Sequence, residues 1–315
     1  MILVTGATGF VGSALVSRLA HEGIETRASV RRDNTSMPNG VHTVQVGDLT
    51  ADADWSRALA GVGVIVHAAA RVHVMDDTAT NPLDEFRRIN VQGTLNLARQ
   101  AAAAGVRRFV FISSIKVNGE ATKLGVPFSA DDIPAPLDPY GVSKMEAEQG
   151  LRAMAAQTGM EVVIIRPPLV YGPCVKANFA ALMRAVKRGW PLPLGAVHNQ
   201  RSLVALDNLV DFIVTCITHP EAANQTFLVS DGQDLSTSGL VHGLARAAGV
   251  TARLVSMPVW VLQTGASLLG KGDAVQRLCG NLQLDISKAH RILGWVPRVS
   301  VEEGLRQAVA GMLKP

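Results

Sequence analysis

Short runs rich in valine and isoleucine recur along the first half of the chain. Longer stretches separate them, in which apolar residues return every three or four positions. ILVTG, ETRASV, HTVQV, VGVIVHAA, RRFVFISS and EVVIIRPP are of the first kind and predict strands. GSALVSRLAHEG, which ends in glycine, DEFRRINVQGTLNLARQAAAAG and SKMEAEQGLRAMAAQTG have the spacing of helices. Strands alternating with helices of this length predict an α/β fold: a doubly wound parallel sheet of the Rossmann type, with helices on both faces.

After Pro167-Pro168 the pattern changes. PLVYGP reads as a loop, NFAALMRAVKRGWPLPLG as a helix, and NQRSLVALDNLVDFIVTCITH as a loop followed by a helix. QTFLVSD is a strand that could return to the main sheet. From about Gly232 the chain is helical and loop-like, and it closes on the amphipathic VEEGLRQAVAGML. The expected organisation is a large first domain over residues 1–168, with a return by 199–231. A smaller, mostly helical second domain is assembled from 169–198 and 232–315.

Composition narrows the function. Of 315 residues, 48% are apolar and 18% charged, a globular balance without the signature of disorder. The net charge of +4 is small, and the basic doublets lack interleaved aromatics, which argues against nucleic acid and suits an anionic small ligand. Three dispersed cysteines, Cys174, Cys216 and Cys279, read as reduced thiols and not as a zinc or disulfide frame, so no metal is expected. Met1 runs straight into a strand, so a cytoplasmic chain without a signal peptide is expected. PVWVLQTGASLLG falls short of the ~20 residues of a membrane span and is expected as a buried helix.

The turn GATGFVG lies between the first strand and the first helix. Gly6 permits a tight turn, Gly9 lets the backbone approach a pyrophosphate, and Gly12 allows close packing of helix on strand. With Phe10 and Val11 they are the candidate dinucleotide contacts, the diphosphate sitting at the helix N-terminus. Arg31, at the end of the second strand, suits the 2′-phosphate of NADP(H), while Asp33 keeps NAD(H) open. Asp48, followed by Leu49, could accept the adenine amino group. The small residues Ala68, Ala69 and Ala70 would let a dinucleotide lie across the sheet edge.

DPYGVSK carries the sharpest chemical signal. Asp138 and Pro139 read as a helix start, so Tyr140 and Lys144, four apart, share one face. A neighbouring ammonium favours phenolate and lowers the pKa of a phenol, and the same lysine can bond a nicotinamide ribose. Ser114, at the end of RRFVFISS, would stand at the carboxyl edge of the sheet and hold a substrate oxygen against Tyr140.

In these motifs, and in INVQGTLNL around Asn90, RPPLVYGP, RSLVALDNLVDFI and DISKAHRILGW, the chain resembles extended short-chain dehydrogenases/reductases of the NAD-dependent epimerase/dehydratase family. The resemblance implies that Ser114, Tyr140 and Lys144 are the catalytic triad and that the C-terminal segment binds a nucleotide sugar. It implies that Arg201, Asn178 and Arg277 are contacts to that substrate, and that the chain forms a homodimer. Sugar 4,6-dehydratases of the family carry an Asp-Glu pair after the catalytic hydroxyl residue; here Ile115 and Lys116 stand there, which disfavours dehydration. Arg31 and the stretch SSIKVNGE point to reduction of a UDP-4-keto-(6-deoxy)-N-acetylhexosamine for surface polysaccharide. A 4-epimerase with tightly bound NAD is the alternative, and a non-catalytic dinucleotide sensor a further one. A reductase of a neutral aromatic or polyketide carbonyl would have no need of Arg201.

Overall fold

The apolar runs are buried on both faces because they form the interior of a parallel sheet, where helices cover each side. In the computed structural model, which describes residues 1–32, 36–72, 81–268 and 272–312, nine strands are present among these residues. They are β1 (Ile2–Thr5), β2 (Thr26–Val30), β3 (Val41–Gln45), β4 (Val64–His67), β5 (Arg108–Ile112), β6 (Glu161–Arg166), β7 (Leu169–Tyr171), β8 (Leu203–Ala205) and β9 (Thr226–Leu228). Seven form one all-parallel sheet in the order β3-β2-β1-β4-β5-β6-β9. The order reverses between β1 and β4, and open α/β sheets bind ligands beyond the strand ends at such a switch point.

Twelve helices accompany these strands among the described residues: α1 (Phe10–His21), α2 (Ser56–Leu59), α3 (Pro82–Phe86), α4 (Thr94–Ala103), α5 (Pro139–Thr158), α6 (Ala177–Lys187), α7 (Leu206–Thr218), α8 (Thr237–Ala247), α9 (Val259–Leu268), α10 (Gly272–Cys279), α11 (Ser287–Leu293) and α12 (Val301–Gly311). On one face of the sheet, Leu15, Val16 and Leu19 of α1 pack with Leu209, Phe212 and Ile213 of α7. On the other, Leu97 and Ala101 of α4 and Ala147 and Leu151 of α5 cover Ile65, Phe109 and Phe111. Fully burying one such side chain contributes about 1.5–3 kcal/mol. A third core joins Tyr171, Phe179 and Met183 to Val241 and Leu244 of α8 and Leu305 of α12.

The fold class agrees with the sequence reading; three local readings are corrected. PLVYGP and the RSLVA part of the following segment are not loops, for β7 and β8 pair in parallel as a separate two-stranded sheet. The predicted helix from Asp84 to Ala104 is not regular: α3 passes into α4 through a π-helical segment, Arg87–Gly93. Among its described side chains the apolar α9 is not fully buried: Val259 and Leu262 pack partly buried against the third core, while Trp260 is 68% exposed. Leu269 and Gly270 of that run lie outside the described residues. No described helix is long and apolar enough to cross a membrane.

One buried ion pair crosses the second face. Arg166 at the end of β6 donates from Nε to Glu148 Oε1 (2.9 Å) and from Nη2 to Glu148 Oε2 (2.5 Å), with both side chains 2% exposed. Ser113 Oγ donates to the same carboxylate (2.6 Å), and Arg166 Nη1 donates to Asn118 Oδ1 (2.9 Å). Removing one member of a buried pair leaves the other charge uncompensated. Arg166→Met is expected to lower unfolding free energy by about 3–5 kcal/mol, with much of the loss recovered in Arg166→Met/Glu148→Met; urea denaturation of the three proteins measures this.

Candidate active site

Two turns and one helix start meet at the carboxyl end of the sheet. In the first, the chain leaves β1 and doubles back over Gly6, whose φ is +66°. A Cβ there would stand 2.6 Å from the Ala69 amide nitrogen, and one on Gly12 would overlap the Gly6 carbonyl. Gly9 caps α1 without a side-chain hydrogen bond, so the first amides of the helix, on Phe10, Val11 and Gly12, lack a side-chain acceptor from the cap. A close-fitting, positively polarised cradle results, floored by Ala68, Ala69 and Ala70 where β4 ends. It fits the diphosphate of a dinucleotide on the chemistry of its donors.

At the rim, Arg31 and Asp48 lie 3.8 Å apart as an ion pair, each more than three-quarters exposed. Asp33 lies outside the described residues. Leu49 turns inward: a Cβ on Gly93, in the π-helical segment, would stand 2.7 Å from its Cγ. Gly93 therefore allows that segment to close on the loop after β3.

Asp138 accepts the Gly141 amide (2.6 Å) and so starts α5, with Pro139 in its first turn. This start orients Tyr140 toward Ser114, whose hydroxyl favours the ionised phenol. Phe86 meets the Tyr140 ring edge-on at 5.9 Å. One turn further, buried Lys144 donates from Nζ to the Ile112 carbonyl (2.8 Å), 4.4 Å from the Phe111 ring centroid and 6.0 Å from that of Tyr140. Burial pushes the Lys144 ammonium down to about 7, against the opposing charge of Glu148. Burial and the Asp138 carboxylate push the Tyr140 phenol up, with the Ser114 hydroxyl acting the other way. The structure thus brings Ser114, Tyr140 and Lys144 into one constellation, with Glu148 and Arg166 behind it.

Farther out, Arg201 donates to the Gly280 carbonyl (2.9 Å). Burial lowers its pKa, and the nearby Arg277 guanidinium lowers it further. Two like charges are held close here, and among the described side chains neither has a carboxylate within ion-pair distance, an arrangement that calls for an anion. Asn178 is exposed on the first turn of α6 and makes no hydrogen bond to either arginine among the described residues.

Several supporting residues had no role assigned from the sequence. Asn90, in the π-helical segment, accepts the Arg71 amide (2.8 Å) and donates to the Arg71 carbonyl (3.0 Å) and to Ser143 Oγ (3.0 Å). It ties the stretch after β4 to α5. Glu148 stands four residues beyond Lys144, so helical spacing carried a signal for it. His67 is buried between Thr5 Oγ1 (2.7 Å) and Thr94 Oγ1 (2.9 Å), and burial first, then the Lys144 charge, lowers it to about 3. It is a neutral structural bridge, not a general acid.

Residues 2–230 match the NAD dependent epimerase/dehydratase family, and the chain belongs to that family. It is an NAD-dependent short-chain dehydrogenase/reductase enzyme. The chain is 50% identical over 314 residues to a UDP-glucose 4-epimerase of Vibrio cholerae, covering 99% of this chain and 95% of the relative. A UDP-glucose 4-epimerase of Mycolicibacterium smegmatis is 31% identical over 98% of this chain and 96% of its own. MoeE5, solved in complex with UDP-glucose and NAD, superposes with a TM-score of 0.79 at 28% identity over 98% of this chain and 97% of its own.

Lys144 has an ordinary pKa of 10.5 in the unfolded chain and about 7 when folded. Between these values the unfolded chain binds more protons, so the stability of the cofactor-free protein rises from pH 7 toward pH 9. In Lys144→Met that rise is expected to flatten; denaturant unfolding at pH 7 and pH 9 in both proteins checks it.

Proposed function

We propose that this chain is a 4-epimerase of UDP-hexoses that retains NAD(H) through turnover. The observation that carries this is the pairing of Arg201 with Arg277, two guanidinia without an acidic partner among the described side chains, outside a Ser–Tyr–Lys constellation. A nucleoside diphosphate supplies the missing charge. The 50% identical UDP-glucose 4-epimerase favours epimerisation over the 4-ketoreductase reading that Arg31 prompted. So does the Arg31–Asp48 pair: a carboxylate 3.8 Å from the guanidinium repels a 2′-phosphate and takes part of its charge. NAD(H) is accordingly preferred to NADP(H), with Asp48 left to the adenosine end.

When bound, the nicotinamide would accept and return the C4 hydride, its positive charge favouring the Tyr140 phenolate. Tyr140 Oη takes the proton of the C4 hydroxyl and later gives it back, which is general base and then general acid work. Ser114 Oγ holds the sugar oxygen beside Tyr140. Lys144, one helical turn along, stabilises the phenolate electrostatically in its protonated form. Gly6, Gly9 and Gly12, with the amides of α1, would hold the diphosphate of the cofactor; Arg201 and Arg277 would hold that of the sugar nucleotide.

The freshly purified protein, denatured, is expected to release near-stoichiometric NAD(H), and the native protein to interconvert UDP-glucose and UDP-galactose. Tyr140→Phe is expected to lower kcat about 10²–10⁴-fold. Arg201→Ala is expected to raise KM for the UDP-sugar at least tenfold, about 1.4 kcal/mol, without loss of retained NAD(H). Release of NADP(H), or an empty protein that reduces 4-ketosugars, would replace this reading with the reductase.

A further inference from the structure

Lys116 occupies a position with no assigned part in the reaction, yet four contacts converge on it. Its amide donates to Ser114 Oγ (3.3 Å). Its side-chain ammonium pairs with the Asp138 carboxylate and with Glu120 (3.2 Å). Its carbonyl oxygen lies so close to α5 that a Cβ on Gly141 would stand 2.8 Å away. One residue therefore grips the hydroxyl of Ser114 through its backbone and the N-cap of the Tyr140 helix through its side chain.

We propose that Lys116 is a positioning residue that sets the spacing of Ser114 and Tyr140 and screens the phenol from the Asp138 carboxylate. Asp138 cannot be dispensed with, because it caps α5 through the Gly141 amide. Its negative charge, two residues from Tyr140, opposes the phenolate that proton abstraction requires, and the Lys116 ammonium paired with it acts against that charge. The groups facing Tyr140 among the described residues are few. Asp138 and Lys144 come from its own helix. Ser114 comes from the turn after β5, with Lys116 and Glu120 behind it. The uncharged Phe86 comes from α3, with the Arg71 guanidinium 5.6 Å from its ring. Loss of Lys116 leaves Asp138 unscreened, whereas loss of the Asp138 charge leaves Lys116 to favour phenolate. The two changes act in opposite directions.

The proposal rests on the reading of Tyr140 as the proton-transfer group, but its test does not require turnover. The chain has two tyrosines, Tyr140 and Tyr171. Tyr171 is buried, donates to Asp231 (2.7 Å), and its phenol is pushed far up by burial and that carboxylate. In the NAD-loaded protein, where the nicotinamide charge favours phenolate, tyrosinate absorbance after stopped-flow pH jumps therefore reports Tyr140, and Tyr140→Phe removes the signal. Relative to wild type, Lys116→Met is expected to move the transition up by about 0.5–1 pH unit and Asp138→Asn to move it down by a similar amount, since asparagine still caps the helix. Lys116→Arg is expected to restore the wild-type position. In the NAD-loaded enzyme, the acidic limb of kcat, where Tyr140 loses its proton, is expected to follow these shifts, with KM changed less than about twofold. An unmoved transition in both Lys116→Met and Asp138→Asn overturns the proposal. If Lys116→Met does not fold, Asp138→Asn alone decides in the same way. Tyrosinate shifts of the expected signs in a protein that turns over no UDP-sugar would support Lys116 while defeating the epimerase reading.

Discussion

The buried pair between Arg166 and Glu148 fixes how α5 sits on the sheet, and the site depends on that placement. Tyr140, Lys144 and Glu148 stand four residues apart along one face of the helix. Anchoring Glu148 to Arg166 at the end of β6, and to Ser113 at the end of β5, sets the rotation of the whole face. Lys144 is then driven under the sheet edge onto the Ile112 carbonyl, and Tyr140 toward Ser114. Such a pair adds little net stability compared with apolar packing, because desolvation consumes most of its Coulomb energy. What it supplies is a single rotational setting for the helix.

The same helix start is held at its other end by electrostatics of shorter reach. Asp138 caps α5 and is itself neutralised by Lys116, which also holds Ser114. The Tyr140 side chain lies between two anchored carboxylates along the helix, each matched by a cation from a neighbouring segment. Across the sheet, glycines at positions 6, 12 and 93 remove the side chains that would keep backbone segments apart, so that the loops after β1, β3 and β4 close on one another. The cofactor cradle is thus a matter of absent atoms, and the catalytic constellation a matter of paired charges.

How much of this was legible differs by residue. The glycine turn, the capped start of α5, and the order of strands and helices are local properties, visible as spacing. β7 and β8 were hidden because three-residue strands carry no periodicity, and their pairing bridges residues 169–171 and 203–205. The apolar α9 read as buried because composition measures a helix's hydrophobicity but not whether a neighbour covers it. Arg31 suggested a 2′-phosphate site on its own; Asp48, seventeen positions along, changed that reading only once the chain placed it 3.8 Å away. Lys116 had no readable role for the same reason, since Asp138 is separated from it by a loop.

The sequence by itself determined what is encoded within a few residues: strand and helix periodicity, the turn that only glycine can make, the cap of α5, and the Tyr140–Lys144 spacing that a helix turns into a shared face. The tertiary structure decided which distant charges meet. Arg166 with Glu148, Lys116 with Asp138, Arg31 with Asp48, and Arg201 with Arg277 are all brought together across loops or strands. The reason is that backbone geometry repeats with a short period, whereas the energy of two charges depends on their separation and burial in space. Neither quantity is written in the order of residues until the sheet has closed.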